Sequence, residues 1–330
     1  MFAALTRLRR GFGILPALAL ALLLTACGAP EPPLRVGTND WIGYEPLYLA
    51  RALGHYQGSP IQLVEMNNTT EVIAALRAGR LDVAATTLDE ALALRHSGMD
   101  VRIILLMDAS RGGDAVLARP GIDSLAALAG RRIGVEQTGV GAVMLASALA
   151  AGGLTVADVE IVPLTFDLHY PAFKAGEIDA VVTFDPSRAR LLQEGARLLY
   201  DSRAIPNLII DILVAPPAVA EKRGAALRTL LAGHFAAVRH LRDAPVDAAR
   251  RMTTRQRQEP AAILKSLEGI HIHSLAENQA LLSGEPAHIV RDAREIGRAM
   301  IEYGLLPADS DLARLTTGLV DPRGLPATQP

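Results

Sequence analysis

Two segments of this chain follow one plan 97 residues apart. Residues 75–86 read Ala-Leu-Arg-Ala-Gly-Arg-Leu-Asp-Val-Ala-Ala-Thr, and residues 172–183 read Ala-Phe-Lys-Ala-Gly-Glu-Ile-Asp-Ala-Val-Val-Thr. Each is a helix end, a glycine stop (Gly79, Gly176) and a short apolar strand opened by an aspartate (Asp82, Asp179). The same offset joins Arg35-Val36-Gly37 to Arg132-Ile133-Gly134; residues 49–53 echo 145–149 at offset 96, and residues 61–66 echo 159–164 at offset 98. Alanine and leucine are abundant, so one match alone is weak. Four in the same order predict two lobes on a single βαβαβ plan, with convergent α/β patterning as the alternative.

The hydrophobic pattern fits that plan. Lobe one predicts strands at 34–37, 61–64, 82–85 and 101–107 and helices at 46–53 and 71–78, with Thr87 and Glu90 at capping-box spacing for another helix. Lobe two predicts strands at 132–135, 159–162 and 179–183 and helices at 140–151, 168–175 and 186–194. Such alternation implies an α/β fold of mainly parallel sheets flanked by helices. Beyond residue 216 the pattern turns helical, at 225–242, 245–252 and 285–303. The expected boundaries are 34–114 for the first part of lobe one, 115–212 for lobe two, 213–305 for the completion of lobe one with the C-terminal helices, and 306–330 for an irregular tail.

The N-terminus precedes any fold. Arg7, Arg9 and Arg10 form a basic stretch, and residues 14–25 form an apolar run too short to span a bilayer comfortably. The run ends in Leu24-Thr25-Ala26-Cys27-Gly28, which looks like a bacterial lipobox, and Cys27 is the single cysteine of the chain. It cannot form an intramolecular disulfide but can carry lipid. Residues 1–26 are therefore expected to be a lipoprotein signal peptide and 27–33 a Pro-rich tether, giving a periplasmic or cell-surface protein anchored to the membrane surface. A plain signal peptide with a chance cysteine is the alternative. A net charge of −2 gives no electrostatic case for nucleic acid.

Ligands in open α/β sheets sit beyond the carboxyl ends of the strands. In lobe one these ends carry Asn39, Asp40, Trp41 and Tyr44, then Thr69, then Thr87 and Asp89; in lobe two they carry Thr138 and Gly139, then Asp185. The strand at 101–107 runs into Ser110, Gly113 and Asp114, and Asp211 interrupts the apolar run 208–214. An aspartate inside a buried strand needs a partner. With aromatics at 4% of the chain, Trp41 and Tyr44 stand out. Each residue has a structural alternative: Asn39 and Asp40 as turn formers, Thr87 as a helix cap, Trp41 and Tyr44 as core, Gly113 as a turn glycine.

Residues 36–54, VGTNDWIGYEPLYLARALG, resemble the opening of the nitrate/sulfonate/taurine-type solute-binding proteins of ABC importers, which share a fold with binders of thiamine-pyrimidine precursors. ALRAGRLDVAATTLDEAL, SRGGDAVLARPGI, LAGRRIGVE, AFKAGEIDAVVTFDP and IPNLIIDILV extend the resemblance over residues 34–214. It implies a two-lobed type II periplasmic-binding fold, with crossing segments near 115–119 and 210–215 and the C-terminal helices packed on lobe one. It also implies a monomer that captures a small molecule by hinge closure and docks on a permease with its ATPase. The collected carboxylates favour an amine-bearing or other nitrogenous organic solute over the anions of that family. The alternatives are a binder of sulfonate or nitrate, a pyrimidine-synthase-like enzyme on the same fold, and a ligand sensor.

Other chemistry finds little support. Gly139-Val140-Gly141 is a partial dinucleotide fingerprint, with Met144 where the third glycine belongs. His271 and His273 lack a third ligand at a known spacing. No HExxH, GxSxG or P-loop pattern occurs, and the synthase chemistry needs cysteines that the chain lacks. No catalytic residue, metal or cofactor is expected.

Overall fold

The computed structural model describes residues 31–137 and 139–328. The expected signal peptide, Cys27 and Thr138 lie outside the described residues. The strands are β1 (Leu34–Thr38), β2 (Ile61–Glu65), β3 (Val83–Thr87), β4 (Arg102–Ser110), β5 (Ala115–Ala118), β6 (Arg132–Val135), β7 (Glu160–Pro163), β8 (Ala180–Thr183), β9 (Arg197–Asp201), β10 (Ile210–Ala215) and β11 (Ile270–Ile272). They form two sheets, in the orders β11-β4-β10-β3-β1-β2 and β7-β6-β8-β5-β9.

The repeat is visible in the pairing. β1, β2 and β3 run parallel, as do β6, β7 and β8. Each trio is extended by one antiparallel strand, β10 beside β3 and β5 beside β8. The duplicated arginine and aspartate form one clamp, made twice. Arg35 donates to Asp82 at 2.8 Å and to the Gly79 carbonyl at 2.9 Å, and Asp82 also accepts from the Arg35 backbone N–H. Arg132 repeats this on Asp179 at 2.8 Å and on the Gly176 carbonyl at 3.0 Å. Each clamp ties the first strand of its lobe to the turn entering the third.

The principal helices are α1 (Glu45–Ala52), α2 (Thr69–Arg77), α3 (Leu88–His96), α4 (Val140–Ala151), α5 (Phe166–Ala175), α6 (Ser187–Gln193), α7 (Gly224–Asp243), α8 (Pro245–Gln256), α9 (Leu275–Leu281) and α10 (Ile289–Glu302). Apolar clusters cover both faces of both sheets. Hence β3, β5, β8 and β10 are buried throughout, as strands covered on both faces must be. The C-terminal helices return to the first sheet: α7 packs on α1 and α10 on α3.

Two expectations are corrected. Residues 115–119 and 210–215 are not linkers, because β5 and β10 are strands within the two sheets. The chain crosses at residues 111–114 and 202–209 instead, so lobe two ends before Ile210 rather than at 212. An apolar run announces a strand but not the sheet it joins. The tail beyond residue 305 has little regular structure and is docked as far as it is described. It forms a short helix at Leu312–Thr316, pairs Val320 with Ile103, and anchors Arg95 on the Leu315 carbonyl at 2.7 Å. Leu315 and Leu319 fill the core of the first sheet.

The clamp gives a direct test. Asp82→Ala removes charge-assisted but partly exposed hydrogen bonds and should cost about 1–2 kcal/mol in denaturant unfolding. Asp179→Ala should shift stability in the same direction.

Candidate ligand-binding cleft

The loop after β1 is locked from both ends. Asn39 accepts from the Trp41 backbone N–H at 2.9 Å and donates to the Thr69 hydroxyl at 2.7 Å. A 3₁₀ turn at Ile42–Tyr44 then feeds α1. From α8, Arg255 pairs with buried Glu45 at 2.5 Å, donates to the Asn39 carbonyl and lies 3.9 Å from the centre of the Tyr48 ring. Gln256 adds bonds to Glu45 and to the Asp40 carbonyl. A buried charge pair of this kind is costly to break from one side only.

The locked loop aims two aromatic donors at a row of acids. Asp211 on β10 lies opposite both Thr87 on β3 and Asp108 on β4. Tyr44 donates to Asp211 at 2.6 Å, and the Trp41 indole N–H donates to Asp108 at 3.2 Å. Gly43 must lack a side chain because a Cβ there would strike Asp108, and Gly113 because a Cβ would lie 2.7 Å from the Trp41 ring. Asp108, Asp211 and Asp114 are 0%, 3% and 4% exposed. Like charges facing each other in a buried sheet repel. Burial, with Asp114 adding repulsion, raises the Asp108 carboxyl well above the carboxylate range. Burial, with Asp108 adding repulsion, does the same to Asp211. Burial also lifts Asp114 to about 7, and burial with the neighbouring Asp89 lifts Glu90 to about 8. Asp114 Oδ2 and the Thr87 hydroxyl have no hydrogen-bond partner among the described residues.

Lobe two supplies the opposite wall. Phe184 meets the Trp41 ring edge-on at 5.3 Å and stacks on Phe166 at 3.9 Å. Gly139, with φ of +52°, leaves the space that the Glu90 side chain occupies. His169 is buried between the Thr183 hydroxyl and the Leu164 carbonyl, and burial pulls it down to about 4, so it is neutral. Two carboxylates reach across to the start of α2. Glu136 accepts from the Thr70 backbone N–H at 3.1 Å and its hydroxyl at 2.6 Å, and Asp167 accepts from Asn68 at 3.1 Å. A helix N-terminus favours such anions. Two adjoining cavities of about 20 Å³ each lie between the walls and share Thr69, Glu90, Asp114, Val140 and Phe184. That is room for about one water apiece, so the lobes are closed on each other.

Of the residues picked from sequence, Asn39, Trp41, Tyr44, Thr69, Thr87, Asp114 and Asp211 line these cavities. Ser110, Gly113 and Gly139 lie behind them: Ser110 bonds Ser202 at 2.7 Å, and the glycines make room for Trp41 and Glu90. Asp40 lines neither cavity and lies 3.9 Å from Arg255. Asp185 is spent on its own helix, accepting from the Ala189 N–H at 2.9 Å and pairing with Arg188 at 3.5 Å. Asp89 is buried next to Glu90 but lines neither cavity, and its oxygens have no hydrogen-bond partner among the described residues. Glu90, Asp108, Glu136, His169 and Phe184 were missed as site residues. The repeat offset finds two of them, since it maps Asn39 to Glu136 and Thr87 to Phe184. It also relates Asp114 to Asp211.

Carboxyls raised by burial keep protons that the unfolded chain releases. Their contribution to stability is complete below about pH 4 and is lost as pH rises through about 6 to 8. The ligand-free protein should therefore lose thermal stability across that range. Asp114→Asn should flatten the slope and stabilise the ligand-free protein at about pH 8 by on the order of 1–3 kcal/mol.

Residues 28–255 match the model of the NMT1-like family. The chain is 27% identical over 218 residues to an Escherichia coli (strain K12) protein provisionally named for binding aliphatic sulfonates, covering 65% of this chain and 64% of that one. It is 30% identical over 172 residues to a provisionally named binding protein of Brucella abortus (strain 2308), covering 51% of this chain and 53% of that one. The chain thus spans about half to two thirds of the length of these relatives. The fold is that of the alkanesulfonate-binding protein of Xanthomonas axonopodis pv. citri bound to MOPS (TM-score 0.74, 19% identity, 87% of this chain and 99% of that one). It is also that of the periplasmic nitrate-binding protein of Synechocystis PCC 6803 (TM-score 0.72, 13% identity, 90% of this chain and 88% of that one). The matched span, which takes in the cleft loop, both sheets up to β10 and the helices that clamp the loop, places this chain in the NMT1-like family.

Proposed function

We propose that this chain is the extracytoplasmic solute-binding component of an ABC importer, tethered through lipidated Cys27, that closes its lobes as a monomer around a small nitrogen-bearing organic cation. The carrying observation is the buried acid row with donors on only one side. Trp41 and Tyr44 serve Asp108 and Asp211, but no lysine or arginine bonds Glu90, Asp108, Asp114 or Asp211 among the described residues. Arg188 pairs with Asp185 and favours the charge of Asp114 without bonding it.

An ammonium or amidinium group would supply what the row lacks. Its N–H donors would meet Asp114 Oδ2 and the Thr87 hydroxyl, and its charge would favour ionised carboxylates in a site of low dielectric. The Trp41 and Phe184 rings offer aromatic contact to a planar body such as an aminopyrimidine. A sulfonate or nitrate, the ligand class in the names of several relatives, would face Glu90, Asp114 and Asp211 instead. Because the closed walls leave little room, a solute enters only when the lobes part, and it traps them shut only by binding the closed form more tightly. The relatives named above are binding proteins, and no step of chemistry is assigned to the site.

Thermal-shift and tryptophan-fluorescence titrations at about pH 7.5 test this reading. Amines and aminopyrimidines should stabilise the protein, and Asp114→Asn and Trp41→Ala should each weaken binding about tenfold or more, roughly 1.4 kcal/mol. Stabilisation by taurine, an alkanesulfonate or nitrate but by no amine would reject the cationic ligand, and turnover of a bound compound would reject the binding-only role.

A further inference from the structure

A separate cavity, of about 230 Å³, lies where the two crossing segments meet β11 and the C-terminal helices. Arg111 of the first crossing and Asn207 of the second both line it, with His271, His273, Glu277 and Arg291. The first crossing is held in place here, since the Gly269 carbonyl accepts from the backbone N–H groups of Arg111 at 2.8 Å and Gly113 at 2.9 Å.

The acids of this cavity are already engaged. Glu277 accepts from His271 at 2.7 Å and from both the N–H and the hydroxyl of Ser274. Asp292, also on the wall, accepts from Arg291 at 3.4 Å. The donors are not. The Arg111 guanidinium and the Asn207 amide make no side-chain hydrogen bond or ion pair among the described residues. His273 is 7% exposed and its Nδ1 has no partner. Burial, aided by His271, pulls this imidazole down to about 4, so it is neutral and carries one N–H. No group of three or more His, Cys, Asp or Glu among the described residues is placed to hold a metal ion. A guanidinium offers donors only, so the unmet need is for an acceptor, and one unpaired cation calls for a single negative charge.

We propose that this hinge cavity binds a small organic monocarboxylate, with its carboxylate on Arg111 and its body against Asn207 and His273. The volume, more than ten times that of either cleft cavity, leaves room for an acid of a few carbons. The site is separate from the cleft, but its consequence rests on the hinge-closing role proposed above. Arg111 and Asn207 stand on different crossing segments, so a ligand held by both favours one hinge angle, and through it one state of the cleft.

The test is a thermal-shift titration of the full chain with sodium acetate and sodium propionate, against sodium chloride at matched ionic strength. The carboxylates should raise the melting temperature saturably and chloride should not. Arg111→Ala, at an exposed position that does not threaten folding, should weaken the apparent affinity about tenfold or more. His273→Gln should weaken it as well. An equal response to chloride or an unaltered response in Arg111→Ala would overturn the proposal. Failure of the amine screen with an intact carboxylate response would fault the cleft reading alone.

Discussion

Each sheet of this protein is completed by a strand that the chain delivers from the other lobe. β5 follows β4 out of the first sheet and runs antiparallel beside β8; β10 follows β9 out of the second and runs antiparallel beside β3. Both strands are fully buried, so neither can leave without opening a core. The segments that precede them are short and tied together, with Ser202 bonded to the Ser110 hydroxyl at 2.7 Å and to the Gly112 N–H at 2.6 Å. The exchange makes the lobes inseparable and leaves residues 111–114 and 202–209 as the two connections between them.

The same exchange builds the acid row. Asp114 stands at the entrance of β5 and Asp211 inside β10, at the repeat offset, so the duplicated strand brings one aspartate to the cleft from each crossing. β10 sets Asp211 beside Asp108, an arrangement that a stable core would avoid. The indole of Trp41 and the phenol of Tyr44 offset part of that cost, and the rest is met by protonation. Residues that destabilise a fold while facing a closed cleft are a common signature of a binding site.

The loop that bears Trp41 and Tyr44 depends in turn on a residue more than two hundred positions away. Arg255 reaches Glu45, the Asn39 carbonyl and the Tyr48 ring at once. This explains why the C-terminal helices return to lobe one: they stiffen the cleft wall from behind. Across the cleft, Glu136 and Asp167 bind the N-terminal turn of α2. Closure thus satisfies helix N–H groups as well as burying apolar surface.

The sequence by itself determined the repeat, the two α/β lobes, most element positions and the loops that carry the cleft. These are local properties: strand and helix periods, glycine stops, capping-box spacing at Thr87 and Glu90, and an arginine–aspartate spacing made twice. It also made an acidic, partly aromatic cleft legible through Trp41, Tyr44, Asp114 and Asp211. Only the tertiary structure decided which sheet β5 and β10 join, that residues 306–328 dock on the first sheet, and which carboxylates face the cavity. Asp185 and Asp40 look equivalent to Asp114 in sequence, yet one bonds the N-terminal turn of its own helix and the other lies against Arg255. A strand's apolar pattern is the same whichever neighbour it pairs with. A carboxylate's role depends on partners brought near by packing, and those long-range choices leave no local mark on the chain.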